Sequence, residues 1–261
     1  MEKQAVLCLR NNMTNRVTLA GKKAIITGAS SGIGFAIAKE LARNGVSVAL
    51  LARREERLEK NVREIVDGGG IADFVSVDLC DYEANCAAIA TAASKLDGLD
   101  ILINAAGIAK QANLSDGDAK EWRAMLDLNV IALAVATRES LPYFPEDGGH
   151  IVNISSMSGH RVPGKGGFYS ATKFAVRAMT EGLRQELREA GNPTRVSSIS
   201  PGFVNTEILD HYFGGENSAY EKIGYPILQP EEIADLVFHQ LSMPTTAEVT
   251  DILVRPTAQK T

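Results

Sequence analysis

The chain has 261 residues, 45% hydrophobic and 23% charged, which is length and apolar content enough for one large α/β domain with a buried core. Its net charge of −5, with basic residues scattered along the chain, excludes the basic stripe that a nucleic-acid backbone demands. The 3 cysteines, Cys8, Cys80 and Cys86, form no disulfide framework and stand at no metal-ligand spacing, so a reducing compartment is expected and a metal site is not.

The opening MEKQAVLCLRNN has too short an apolar run before Arg10 for a signal peptide, whose core needs roughly 7 to 15 such residues. No stretch reaches the ~18 consecutive apolar residues of a membrane span. Residues 1–17 therefore read as a flexible leader, 18–261 as a single domain, and the location as cytoplasmic.

From residue 22 onward, apolar β-branched runs alternate with helix-period stretches. Residues 23–28, 46–52, 74–78, 99–107, 150–156, 195–200 and 250–254 read as strands that are apolar on both faces, which suits parallel strands covered by helices. Helices are expected over 33–43, 54–66, 118–141 and 168–190, where apolar residues recur three and four apart. The alternation implies right-handed βαβ units in a single-domain, Rossmann-type doubly wound parallel sheet of about seven strands.

The first strand runs into TGASSGIG and then a helix. Gly28, Gly32 and Gly34, with Ser30, Ser31 and Ile33 between them, form a candidate pyrophosphate cradle, because glycine lets backbone approach a phosphate at a helix N-terminus. Their spacing departs from Gly-x-Gly-x-x-Gly. The second strand ends in Ala52, where a carboxylate would favour NAD, and continues with Arg53 and Arg54, which suit the 2′-phosphate of NADP. An exposed arginine pair at a helix start is the alternative. Glu55 and Glu56 belong to the first turn of that helix, where the helix dipole favours anions.

Tyr169 and Lys173 stand four apart and so share one helix face. A phenol titrates near 10, and lowering it costs about 1.4 kcal/mol per unit. The positive charges of Lys173 and of an oxidised nicotinamide are expected to supply that, making Tyr169 an acid or base. Ser156 ends the preceding strand 13 residues upstream, where its hydroxyl can donate to a carbonyl oxygen or merely close a turn.

The motifs TGASSGIG, NAAG, LNV, NISS, YSATK and SPGFVNTE occur in that order, and from about Gly21 to the C-terminus the chain resembles the short-chain dehydrogenase/reductase family. The resemblance implies a catalytic set of Asn129, Ser156, Tyr169 and Lys173: tyrosine as proton donor or acceptor, serine polarising the substrate oxygen, lysine binding the nicotinamide ribose, asparagine holding a relay water. It implies that Asp78 and Leu79 flank the adenine, that Asn104 and Gly107 of NAAG pack against the cofactor, and that Pro201, Gly202, Val204 and Thr206 embrace the nicotinamide. Ala105 stands where the family pattern has a second asparagine, with slight loss of sheet-end hydrogen bonding expected.

Ser156, Ser158, His160, Tyr212 and Phe213 are the candidate substrate residues. The segment after Thr206, with Gly214-Gly215, Ile208, Leu209, Tyr212 and Phe213, suits a mobile lid or a subunit contact. His160 has no partner at ligand spacing, Arg161 is either a grip for a substrate carboxylate or a surface charge, and Trp122 reads as core packing. Several stretches are similar to NADP-dependent reductases of ketosteroids, farnesol-type alcohols, 3-hydroxy acids and a clavulanate aldehyde. The expected activity is NADP(H)-dependent reduction of a ketone or aldehyde. The alternatives are a 3-hydroxy-acid (serine-type) dehydrogenase or a non-catalytic NADP sensor. The family habit implies a homodimer or homotetramer built on 118–141 and 168–190.

Overall fold

A computed structural model describes residues 16–164, 166–213 and 222–260. Most of the expected leader and the Gly214-Gly215 pair lie outside the described residues. Each expected strand is present: β1 (Lys23–Thr27), β2 (Ser47–Ala52), β3 (Ile71–Ser76), β4 (Ile101–Asn104), β5 (His150–Ile154), β6 (Arg195–Pro201) and β7 (Asp251–Val254). They form one sheet in the order β3-β2-β1-β4-β5-β6-β7, every neighbour pair parallel.

The alternation of strand side chains splits the core in two. Ala24 and Ile26 of β1, Val48 and Leu50 of β2 and Ile101 and Ile103 of β4 face one layer; Ile25, Ala49, Leu51 and Leu102 face the other. Because both faces are covered, the central strands are apolar without a break, as the sequence pattern required. Burying each such isoleucine or leucine stabilises the fold by about 1.5–3 kcal/mol. Edge strand β3 starts earlier than expected, at Ile71, whose side chain is exposed. Its end at Ser76 frees residues 77–78 to turn toward the cleft described below.

Helices α1 (Gly32–Arg43) and α2 (Glu55–Asp67) pack on the first layer; α3 (Tyr82–Leu96) packs on the second. The expected 118–141 helix is α4 (Ala119–Leu126), a wider π-helical stretch at Asp127–Ala132, then α5 (Leu133–Ser140). The long helix α6 spans Gly167–Glu189. After β6 come α7 (Glu207–Phe213) and α8 (Pro230–Leu241). The sequence pattern set no bounds for α3 and α8. Asp81 caps α3 by accepting from the Ala84 amide, and Gln229 and Glu232 form a capping box on α8.

The chain leaves β1 toward β2 and β3, then crosses back to β4, β5, β6 and β7. The helices that follow β1 and β4, α1 and α5, therefore pack on opposite faces of the sheet, which opens a crevice at its C-terminal edge. Among the described residues no helix is long and apolar enough to cross a membrane.

His150, the first residue of β5, is 3% exposed and its Nε2 lies 2.7 Å from Ser197 Oγ. Burial, then the charge of Arg195, depresses its imidazole from 6.5 to about 3. The folded chain keeps the ring neutral while the unfolded chain takes up a proton below its ordinary value, so this stability, full above that value, is lost as pH falls. Urea unfolding between about pH 6 and 4.5 should lose about 1.4 kcal/mol per pH unit from this ring, and His150→Gln should flatten the slope by that amount. An unaltered slope contradicts the assignment.

Candidate active site

The crevice at the C-terminal ends of the strands holds a cleft of about 700 Å³. Its floor begins at the turn between β1 and α1. Gly28 has φ +70°, and a Cβ there would stand 2.7 Å from the Ala106 backbone; a Cβ on Gly34 would stand 2.6 Å from the Gly28 carbonyl. Both positions exclude a side chain, so the β1 turn, the β4 turn and the start of α1 close on one another. Ser31 precedes α1 without capping it, since its hydroxyl meets Arg54 Nη2 at 2.7 Å. The first-turn amides of α1 are left for a ligand of negative charge, and this cradle fits a dinucleotide pyrophosphate.

Residues expected in the cofactor site line this cleft from Gly28 through Ser30, Ser31, Gly32, Ile33 and Gly34. Arg53, Arg54, Asp78, Leu79 and Gly107 continue the wall, and Pro201, Gly202, Val204 and Thr206 close its far side. Arg53 and Asp78 face each other loosely at 4.0 Å. Asn104 does not face the cleft: it is buried behind the β4 turn, where its Nδ2 donates to Thr137 Oγ1 and Asn153 Oδ1, both at 2.9 Å. The turn carrying Ala105 is fixed from the other side, because the Ala105 and Ala106 amides donate to Thr27 Oγ1 at 3.1 and 3.2 Å.

Tyr169 and Lys173 both line the cleft from the first turns of α6. Trp122 stacks on Phe168, with ring centroids 5.6 Å apart, which braces this end of the helix. Lys173 is 6% exposed; its Nζ donates to the Ile154 carbonyl at 2.9 Å and lies 5.9 Å from the Tyr169 ring centroid. Burial lowers its ammonium to about 8. The Tyr169 phenol is raised to about 12, by burial first, against a hydrogen bond with Ser156 that pulls it back; the nearby Tyr212 adds to the rise. The expected depression by Lys173 is therefore not seen among the chain's own groups; desolvation of the phenolate sets the direction of the shift.

Ser156 Oγ accepts from the Ser158 amide at 3.0 Å, and both serines line the cleft. Asn129 lies behind the wall, in the π-helical stretch. Its Oδ1 accepts from the Ile108 amide at 2.8 Å and its Nδ2 donates to the Ile108 carbonyl at 2.9 Å and Thr172 Oγ1 at 3.1 Å. That clamp ties the loop after β4 to α6 one residue before Lys173.

Three expectations on the substrate side resolve differently. His160 turns away from the cleft, its Nε2 3.0 Å from Ser200 Oγ and 3.1 Å from Asp251 Oδ2. Burial and the charge of Arg177 lower its pKa despite that carboxylate. Phe213 packs on Phe203 and Tyr212 rather than on the cleft, while Ile208, Leu209 and Tyr212 do line it. Arg161 lines the cleft too, and its buried Nε has no hydrogen-bond partner among the described residues. Sequence reasoning missed Glu207 and the tail residues Ala258, Gln259 and Lys260, all on the wall. No local signal pointed to Glu207, which stands 153 residues from Arg54.

Residues 22–216 match the short chain dehydrogenase family. The chain belongs to that family. It is 40% identical over 247 residues to bovine dehydrogenase/reductase SDR family member 11, covering 91% of this chain and 97% of the relative. Among solved structures it resembles an alcohol dehydrogenase of Thermococcus sibiricus complexed with 5-hydroxy-NADP (TM-score 0.82, 29% identity, 92% and 98% of the two chains). It also resembles the closed form of a serine dehydrogenase complexed with NADP+ (TM-score 0.85, 29% identity, 92% and 96%). As a family member the protein is an oxidoreductase acting on CH–OH donors with a nicotinamide dinucleotide.

Proposed function

We propose that the protein reduces a medium-sized, largely apolar ketone or aldehyde to an alcohol with NADPH, reversibly. The observation that carries this reading is the gathering of the Tyr169 phenol, the Ser156 hydroxyl and the Lys173 ammonium on one wall of the cleft. Bound NADP(H) supplies or accepts the hydride.

Tyr169 gives its proton to the carbonyl oxygen as that oxygen becomes alkoxide-like, and a phenol at about 12 remains protonated for the task at neutral pH. Ser156 orients and polarises the same oxygen. Lys173 binds the nicotinamide ribose, and Asn129, with its side chain engaged by the protein, acts by positioning. The glycine turn and α1 hold the pyrophosphate, Asp78 and Leu79 flank the adenine, and Pro201, Gly202, Val204 and Thr206 surround the nicotinamide. Preference for NADP(H) rests on Arg53 and Arg54 at the end of β2, where Ala52 offers no carboxylate. Ser158, Ile208, Leu209 and Tyr212 shape the substrate side.

A 3-hydroxy-acid substrate is the second reading, favoured by Arg161 on the cleft wall with its buried Nε unpaired. The similarity to a serine dehydrogenase supports it as well. We further read residues 18–261 as one catalytic domain in the cytoplasm, assembled as a homodimer or homotetramer through α4, α5 and α6. The exposed Leu126 of α4, Ile131 of the π-helical stretch and Phe174 of α6 support that assembly, and a monomeric mass in sedimentation at micromolar concentration would contradict it.

The deciding experiment follows NADPH oxidation over ketosteroids, isoprenoid aldehydes, β-keto acids and small diketones. Turnover is expected on the apolar carbonyls, and Tyr169→Phe should lower it by about 10²–10⁴ with cofactor binding kept. Arg161→Met should spare the apolar substrates; if keto acids dominate and that variant abolishes their turnover, the hydroxy-acid reading replaces the first. NADPH binding without oxidation across the panel would overturn both.

A further inference from the structure

Glu207, the first residue of α7, sends its carboxylate across the mouth of the cleft to the start of α2. Its Oε2 accepts from Arg54 Nη1 at 2.7 Å and from Ser31 Oγ at 3.4 Å, and its Oε1 accepts from Arg57 Nη1. The rest of the Arg54 fork is engaged as well: Nη2 donates to Ser30 Oγ at 2.9 Å and to Ser31 Oγ at 2.7 Å, and Nε to Ser30 Oγ at 3.2 Å. The Arg53 side chain, by contrast, has among the described residues only the loose 4.0 Å approach to Asp78 and is 68% exposed.

A carboxylate presents two oxygens and one negative charge to a guanidinium much as one edge of a phosphate does. Burial opposes ionisation of Glu207, but the hydrogen bonds and charges of Arg57 and Arg54 outweigh it and hold its carboxyl near 2. Glu207 is therefore an anion throughout the neutral range. It sits on the guanidinium that the cofactor reading assigns to the 2′-phosphate, and it is covalently part of the substrate-side segment.

We propose that Glu207 is an internal rival of the cofactor's 2′-phosphate, holding the Arg54 fork until a phosphate-bearing nucleotide displaces it and thereby setting the selectivity for NADP(H) over NAD(H). Displacement leaves the carboxylate its second partner, Arg57, so the exchange needs no unpaired charge. The proposal rests on the NADP(H) reading given above and goes beyond it by naming the residue that tempers the preference.

The test is fluorescence titration of the full chain with NADPH and with NADH at low ionic strength. The Arg54–Glu207 pair is about half exposed, so removing the rival in Glu207→Gln should raise the ratio of the NADH to the NADPH dissociation constant by about two- to fivefold. Glu207→Asp, which keeps the charge on a shorter reach, should fall between the two. In an Arg54→Gln background the Glu207→Gln change should leave the ratio unmoved, since the contested group is gone. A ratio that stays level or drops in Glu207→Gln, while the wild type prefers NADPH, overturns the proposal and makes Glu207 an aid to phosphate binding or a bystander. A wild type that prefers NADH overturns the cofactor reading, and this proposal with it.

Discussion

The site depends on one buried cation. Lys173 carries its ammonium into the interior at the C-terminal end of β5, where among the described residues a single backbone carbonyl, that of Ile154, is its hydrogen-bond acceptor. Burial weakens the ammonium without discharging it at neutral pH, since it titrates near 8. Such a charge is tolerated only where packing fixes it, and here α6 is braced by the Trp122–Phe168 stack, by the Asn129–Thr172 hydrogen bond and by the strand beneath. One helical turn earlier, Tyr169 is then compelled to face the same cleft.

The fold was legible because parallel strands buried on both faces leave an unbroken apolar record, and seven such runs became seven strands. Boundaries blurred at β3, an edge strand with an exposed Ile71, and at α3, whose row of alanines gives a weak helical stripe. The π-helical widening around Asn129 left no mark in the periodicity. The glycine turn was legible for a stronger reason: at Gly28 and Gly34 the space for a side chain is filled by backbone, so the composition follows from geometry.

Substrate-side residues were harder to read because neighbours in sequence diverge in space. His160 and Arg161 are adjacent, yet the histidine turns to Asp251 and Ser200 while the arginine lines the cleft. Tyr212 and Phe213 divide in the same way, one on the cleft and one on Phe203. Asn104 belongs to a buried amide chain with Asn153 and Thr180 that stiffens the sheet's end. Its motif was visible, but which way the amide points depends on partners 33 and 49 residues away. The Glu207 bridge joins residues 153 apart and lies beyond any local pattern.

Electrostatics revises the simplest account of the catalytic tyrosine. Within the chain's own groups the phenol rises to about 12, because burial penalises the phenolate more than the hydrogen bond with Ser156 favours it. The account therefore assigns the remaining favourable charge to the oxidised cofactor. The most direct test is ultraviolet difference titration of tyrosinate, wild type minus Tyr169→Phe, with and without NADP+. The account predicts that Tyr169 stays protonated to at least about pH 11 in the free protein and titrates lower once NADP+ is bound. A phenol that ionises near neutrality in the free protein, or one that NADP+ leaves unmoved, would contradict it.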